Sequence, residues 1–222
     1  MIQDYINVIK ELTTIQPTSY LEIGALNIDY AVIIAKEFNL PREKIFLVEP
    51  NPYSAQQIKD SDLLCNLIEL AVCEGASPSI SFHCVDSSIS SHVGCSSTLK
   101  RCDSFGKELI YKTVSVSRIT GEGLLDVIDR KSPIYIPSFS MCVIDVEGMA
   151  HSVLKSFQQS LIRLDSFSIE VETRNIFGID IYGNMNCVIE LITQTNTFDL
   201  VYQKDVYKGQ QDLIFVKKEY LK

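Results

Sequence analysis

Apolar residues recur along the chain in two alternating rhythms. Short continuous runs, such as Tyr20-Leu-Glu-Ile-Gly24, Lys44-Ile-Phe-Leu-Val-Glu49 and Met141-Cys-Val-Ile-Asp-Val146, are separated by stretches in which apolar positions return every three or four residues. The first rhythm suits strands buried on both faces, the second helices packed by one face. The pattern predicts helices over 2–14, 28–38, 53–64, 123–130, 149–157 and 185–195, with Asn27 as N-cap of the second. It predicts strands over 20–24, 44–49, 67–73, 79–85, 112–119, 141–146, 165–172, 198–204 and 212–217. Strand–helix alternation at this spacing implies an α/β fold, a doubly wound and mostly parallel seven-stranded sheet. The last two strands have too few residues between them for a crossover helix, so the C-terminal strand is expected to be antiparallel. Ser79–Val85 alternates, and with the loop after it reads as an extra hairpin or loop insertion behind the third strand.

Residues 1–222 read as one domain, opened by an N-terminal helical segment over 1–17. The insertion at 86–111 is the expected lid or substrate loop, because Asp86–Ser104 is rich in Ser and poor in aliphatics. Thr173–Asn184 is a second polar loop. Apolar residues make up 46% and charged residues 22%, a globular balance. No apolar run approaches the ~18 residues of a membrane span, and the N-terminus lacks the basic start and apolar centre of a secretory signal. The net charge is −8 with no basic stripe, which argues against a nucleic-acid partner. The seven cysteines form no Cys-x-x-Cys pair, and Cys65, Cys73 and Cys142 sit in apolar runs, as reduced core cysteines do. A cytoplasmic location is therefore expected. Cys84, Cys95 and Cys102 lie near His83 and His92, which raises zinc as a candidate that their irregular spacings disfavour.

Four strands end in acids: Glu22, Glu49, Asp145 with Glu147, and Glu170 with Glu172. Carboxylates are seldom buried without a partner, and the carboxyl ends of parallel strands face the ligand crevice of such folds. A carboxylate ending the second strand is placed to accept both hydroxyls of a ribose, which makes Glu49 a candidate adenosine ligand. The first turn, Gly24-Ala-Leu-Asn-Ile-Asp29, lacks two of the three glycines of a dinucleotide site. It also sets Asp29 where a phosphate would otherwise sit on the helix N-terminus. A ligand with a positive centre and no phosphate fits better, and S-adenosyl-L-methionine is one.

Leu21-Glu-Ile-Gly-Ala25, Phe46-Leu-Val-Glu-Pro-Asn-Pro52, Leu70-Ala-Val72, Val143-Ile-Asp-Val-Glu-Gly148 and Ser168-Ile-Glu-Val-Glu172 follow one another in this order. Together they resemble the FkbM family of Rossmann-like class I S-adenosylmethionine-dependent methyltransferases. The chain departs from that family at Asn27-Ile-Asp29, Ser117-Arg-Ile119, Val143 and Ala150. The resemblance implies O-methyl transfer to a hydroxyl of a sugar, glycan or other small molecule, with S-adenosyl-L-homocysteine as product. It implies that Glu22, Gly24 and Ala25 line the methionine end of the cofactor and that Glu49 holds the ribose. Pro50, Asn51 and Ala71 complete the cofactor site, with Pro50 and Asn51 at the adenine edge. Asp145 and Glu147 then face the methyl group and the acceptor.

A sugar hydroxyl is a poor nucleophile, and a general base accelerates its attack by ~10²–10⁴-fold. Asp145 is the candidate base, or it joins Glu147 in placing a divalent cation on the acceptor. His151, in the first turn of the following helix, is a second candidate base. The residues also admit plainer roles: Asp145 as a ligand without proton transfer, Glu147 as a helix N-cap, His151 as a surface or core-edge histidine. A catalytically degenerate module that binds the cofactor or a partner is the competing function, and an NAD-dependent oxidoreductase is disfavoured by the missing glycines. The sequence leaves the oligomeric state open, a homodimer among the options.

Overall fold

The computed structural model of the protein describes residues 1–62, 65–85, 93–102, 109–132, 134–174, 176–177, 185–207 and 209–222. The strands are β1 (Tyr20–Ile23), β2 (Ile45–Val48), β3 (Asn66–Ile68), β4 (Ala71–Val72), β5 (Ser79–Val85), β6 (Tyr111–Ile119), β7 (Met141–Ile144), β8 (Ser166–Glu172), β9 (Phe198–Tyr207) and β10 (Gln210–Lys217). The helices are α1 (Ile2–Leu12), α2 (Asp29–Phe38), α3 (Pro52–Lys59), α4 (Gly121–Lys131), α5 (Ala150–Phe157) and α6 (Met185–Thr195).

Among the described residues, seven strands form one sheet in the order β3-β2-β1-β7-β8-β10-β9. Only β10 runs against its neighbours; the other pairings are parallel. The doubly wound architecture and the antiparallel C-terminal strand expected from the sequence are both present. Side chains alternate across the sheet, so each central strand feeds two cores. Leu21, Ile23, Phe46, Val48, Cys142 and Ile144 pack with α4, α5 and α6. Tyr20, Ile45, Leu47, Met141 and Val143 pack with α1, α2 and α3 on the other face. Helix α1 buries Ile2, Tyr5, Ile6, Val8 and Ile9, one stripe at helical spacing, with Asp4 and Lys10 at the ends its dipole favours. No helix of the described residues is long and apolar enough to cross a membrane.

Three expectations are corrected in detail. The run at 67–73 is not one strand: Leu70 N–H turns back to the Ile68 carbonyl, so β3 joins the large sheet while β4 pairs with β6 in a second, three-stranded sheet. In that small sheet β5 pairs antiparallel with β6, across the insertion. Asn27 is not the N-cap of α2; its Oδ1 accepts from Asp29 N–H at 2.8 Å, one position before the Ile28 cap, which has no side-chain bond. Helix α3 stops at Lys59, short of the predicted boundary, and residues 63–64 lie outside the described residues. Of the expected lid at 86–111, segments 86–92 and 103–108 also lie outside them, as do 175 and 178–184 of the second polar loop.

One buried polar relay ties α1 to the sheet. Cys142 N–H donates to the Tyr5 hydroxyl at 3.1 Å, Tyr5 and Ser166 share a 2.7 Å hydrogen bond, and Ser166 Oγ donates to the Ser140 carbonyl at 2.7 Å. With Ser166 donating onward, Tyr5 both accepts from Cys142 and donates to Ser166. Removing the Tyr5 hydroxyl leaves buried groups unpaired, which costs about 1–3 kcal/mol. Tyr5→Phe is therefore expected to destabilise the chain by that free energy, read as a lower urea midpoint at an unchanged denaturant slope; a midpoint equal to wild type would show that the relay contributes nothing.

Candidate functional site

Strand order reverses between β1 and β7, and the chain leaves both strands there in opposite directions. In open parallel sheets this is where a crevice opens outside the carboxyl ends. Gly24 follows β1 at φ +88°, and a Cβ built on it would lie 1.8 Å from the Asp145 carbonyl oxygen. Only glycine fits that close approach. The turn is fixed by Gly24 N–H and Ala25 N–H donating to the Val48 carbonyl, and by Asp145 N–H donating to that of Ile23.

A cleft lies over these strand ends. Of the sequence-predicted residues, Gly24, Glu49, Pro50, Asn51, Ala71, Asp145 and Glu147 line it together. Glu22, Ala25 and His151 do not. Glu22 is one residue too early in β1: alternation turns it to the α1/α2 side, where the Tyr20 hydroxyl donates to its Oε2 at 2.8 Å. Ala25 is fully enclosed in the core against α2. His151 is partly buried on α5, and burial followed by the Lys155 charge lowers its pKa while Glu74 pulls it back.

At one end of the cleft, Glu49 Oε1 accepts from Asn51 N–H at 2.6 Å. Asn51 caps α3 through its Oδ1, which accepts from Tyr53 N–H, while its Nδ2 donates to Ser96 Oγ at 3.4 Å. Leu26, Leu70, Val72 and Phe82 give the cleft an apolar lining. At the other end, Glu147 takes a left-handed conformation at φ 41° before Gly148 at φ 87°. It is not a helix cap; α5 starts after Met149, without a side-chain cap. Non-glycine residues in this region are strained by ~1–3 kcal/mol and persist where the surroundings over-determine them. Here Ser97 Oγ donates to the Glu147 carbonyl at 2.6 Å, and Arg101 Nη1 lies 3.8 Å from its Oε2, too far for a hydrogen bond.

Carboxylate oxygens of Asp145, Glu147 and Glu170 all lie within 4.8 Å of one another. Burial, and then the Asp212 charge, raises the Asp145 pKa. Burial, then the Asp145 charge, raises that of Glu147, while Arg101 pulls it back. Glu170 is raised by burial and by Asp145 and Glu147. Glu22, Glu49 and Glu172 are each pushed up to about 8, burial being the largest cause. A carboxylate raised toward neutrality is a stronger base than a solvated one. The arrangement therefore offers an acceptor of hydroxyl hydrogens at the Glu49 end and proton acceptors or hard-cation ligands at the Asp145 end.

Sequence reasoning placed Glu170 at a strand end but not in the site. It also missed Ser54, Cys73, Phe82, Ser96 and Thr98, which line the cleft, and Arg101, which reaches Glu147. Glu170 had a readable signal, the Ser168-Ile-Glu-Val-Glu172 alternation. Ser54 comes from α3, and Cys73 and Phe82 from runs legible as strands but not as site; Ser96, Thr98 and Arg101 come from the insertion, where no periodicity marks them.

The sequence over residues 22–204 matches the family model described as methyltransferase FkbM domain. No curated protein matches the chain. The fold is similar to that of a human methyltransferase 10 domain containing protein, at TM-score 0.51 and 11% identity over 97% of this chain and 81% of that one. It is similar also to the O-methyltransferase from Bacillus cereus in complex with SAH, at TM-score 0.50 and 15% identity over 100% of this chain and 79% of that one. At these identities the likeness concerns the fold alone.

The raised carboxylates have a consequence for stability. Glu22 and Glu49 stay protonated to about 8 when folded but ionise from 4.5 when unfolded. Between these values the folded chain binds more protons, so stability is full below the lower one and is lost as pH rises through the upper one. The melting temperature is expected to fall from about pH 5.5 to about pH 8.5. Glu22→Gln, which keeps an acceptor for Tyr20, should raise stability at the higher pH by at least about 1 kcal/mol and by less at the lower. A Gln variant less stable than wild type at the higher pH would contradict a buried, protonated Glu22.

Proposed function

The chain belongs to the FkbM methyltransferase family, and from that premise we propose that it is an S-adenosylmethionine-dependent O-methyltransferase acting on a hydroxyl of a sugar or other small molecule. The observation that carries this reading is one cleft with Glu49 at one end and Asp145 with Glu147 at the other. The residues fit the cofactor. Glu49 has one oxygen bonded to Asn51 and a second to offer to ribose hydroxyls, and Leu70, Val72 and Phe82 offer apolar surface to a base. Carboxylates rather than glycine-rich amides surround the first turn, which suits a sulfonium and not a pyrophosphate.

When bound, the cofactor supplies an electrophilic methyl group. The chain's own residues do the rest. Glu49, Pro50, Asn51 and Ala71 hold the nucleoside half, and Gly24 lets the chain pass close beside Asp145. Asp145 accepts the hydrogen of the attacking hydroxyl and directs its oxygen, so that most of the acceleration comes from position. Glu147, held by the strained turn, accepts from a neighbouring hydroxyl of the same acceptor.

The closeness of Asp145, Glu147 and Glu170 favours a second use of the same groups, as ligands for a divalent cation that would orient the acceptor oxygen. Activity that EDTA abolishes and Mg²⁺ or Mn²⁺ restores would select that version; activity indifferent to EDTA would select direct proton acceptance by Asp145.

Conversion of S-adenosylmethionine to S-adenosylhomocysteine, followed over a panel of sugars and glycans, tests the reading. Glu49→Gln is expected to weaken S-adenosylhomocysteine binding by about tenfold, the order of one buried hydrogen bond. Asp145→Asn should lower turnover by ~10²-fold or more while leaving that affinity within about threefold. An Asp145→Asn enzyme at wild-type turnover would remove Asp145 from both roles, and binding without transfer to any acceptor would favour a degenerate cofactor-binding module.

A further inference from the structure

Among the described residues, three polar atoms on residues lining the cleft are buried without a hydrogen-bond partner: Ser54 Oγ, Thr98 Oγ1 and Glu147 Oε2. Ser54 is the most enclosed of the three residues, 1% exposed. An unpaired buried hydroxyl is destabilising, and native structures seldom keep one without a reason.

The local chemistry explains why the chain supplies no partner. Ser54 is the third residue of α3, the position from which a side chain reaches back to the N-cap amide. That amide, Asn51 N–H, is already given to Glu49 Oε1 at 2.6 Å. The Asn51 side chain is also engaged, its Oδ1 by Tyr53 N–H and its Nδ2 by Ser96 Oγ. Glu49 thus takes the donor that would have satisfied Ser54, and both residues line the cleft. A serine hydroxyl both donates and accepts, and rotation about one bond re-aims it between staggered positions.

We propose that the Ser54 hydroxyl is a cofactor-binding group, kept without a protein partner and satisfied by the nucleoside half of the adenosyl ligand beside Glu49. This rests on the cofactor reading given above. It makes two predictions of opposite sign, which a purely structural serine does not. Without ligand, Ser54→Ala removes an unsatisfied polar group and should raise the melting temperature, by about 2–4 °C. With ligand, the same variant loses a contact.

Calorimetry of the full chain with S-adenosylhomocysteine and with adenosine, beside thermal melts without ligand, tests this. Ser54→Ala is expected to bind both ligands about five- to tenfold more weakly, by the same factor because the contact is on the part they share, and to melt higher than wild type when unliganded. Equal S-adenosylhomocysteine affinity in variant and wild type overturns the inference alone. So does a lower unliganded melting temperature, because the hydroxyl then already has a partner, and so does a loss confined to S-adenosylhomocysteine. Failure of the wild-type chain to bind either ligand overturns the inference together with the cofactor reading on which it stands.

Discussion

The approach of Gly24 to the Asp145 carbonyl is the contact on which the rest of the site depends. Two parallel strands, β1 and β7, end side by side, and their continuations must part without a side chain between them. A Cβ on Gly24 would overlap the Asp145 carbonyl oxygen at 1.8 Å, and φ at +88° is strained for any other residue. Because that position is glycine, the first turn can fold back onto the Val48 carbonyl and Asp145 can be held by that of Ile23. The cleft is the space these two turns leave between them, and Asp145 is brought to its floor by main-chain bonds rather than by its own side chain.

A second strained turn builds on the first. Glu147 at φ 41° and Gly148 at φ 87° bend the chain before α5, and a Cβ on Gly148 would meet the Phe177 ring at 2.6 Å. Phe177 in turn lies under the Arg101 guanidinium, 5.7 Å from its ring centroid. Arg101 comes from the Ser-rich segment and Phe177 from the second polar loop, so the two regions meet over the Asp145–Glu147 end of the cleft. Burying several carboxylates here is unfavourable and Arg101 compensates only in part, as their raised pKa values record. Sites that keep like charges close sacrifice stability for a poised environment.

The sheet was legible because its central strands are continuous apolar runs, and the order of motifs along the chain carried the family. Strand ends were legible too: Glu49, Asp145 and Glu147 stand where apolar runs stop, and all three reach the cleft. The residues that fall outside the cleft do so through geometry finer than a run. Glu22 was grouped with the site because it lies near the end of β1, yet a period of two turns it behind the sheet beside Tyr20. His151 is close in sequence to Glu147, but its place on α5 carries it toward Glu74 and Lys155. Ser54 could not be singled out, because its unpaired state depends on Glu49 having taken the Asn51 amide. The division of 67–73 between two sheets depends on β6, far along the chain, which no local pattern reports.

The central claim is that one adenosyl ligand spans the cleft from Glu49 to Asp145. A crystal structure of the chain with S-adenosylhomocysteine tests it most directly. The account predicts the ribose hydroxyls within hydrogen-bond distance of the Glu49 carboxylate and the sulfur beside the Gly24 turn, facing Asp145 and Glu147. A ligand bound elsewhere, or one bound in the cleft with its ribose away from Glu49, would contradict it.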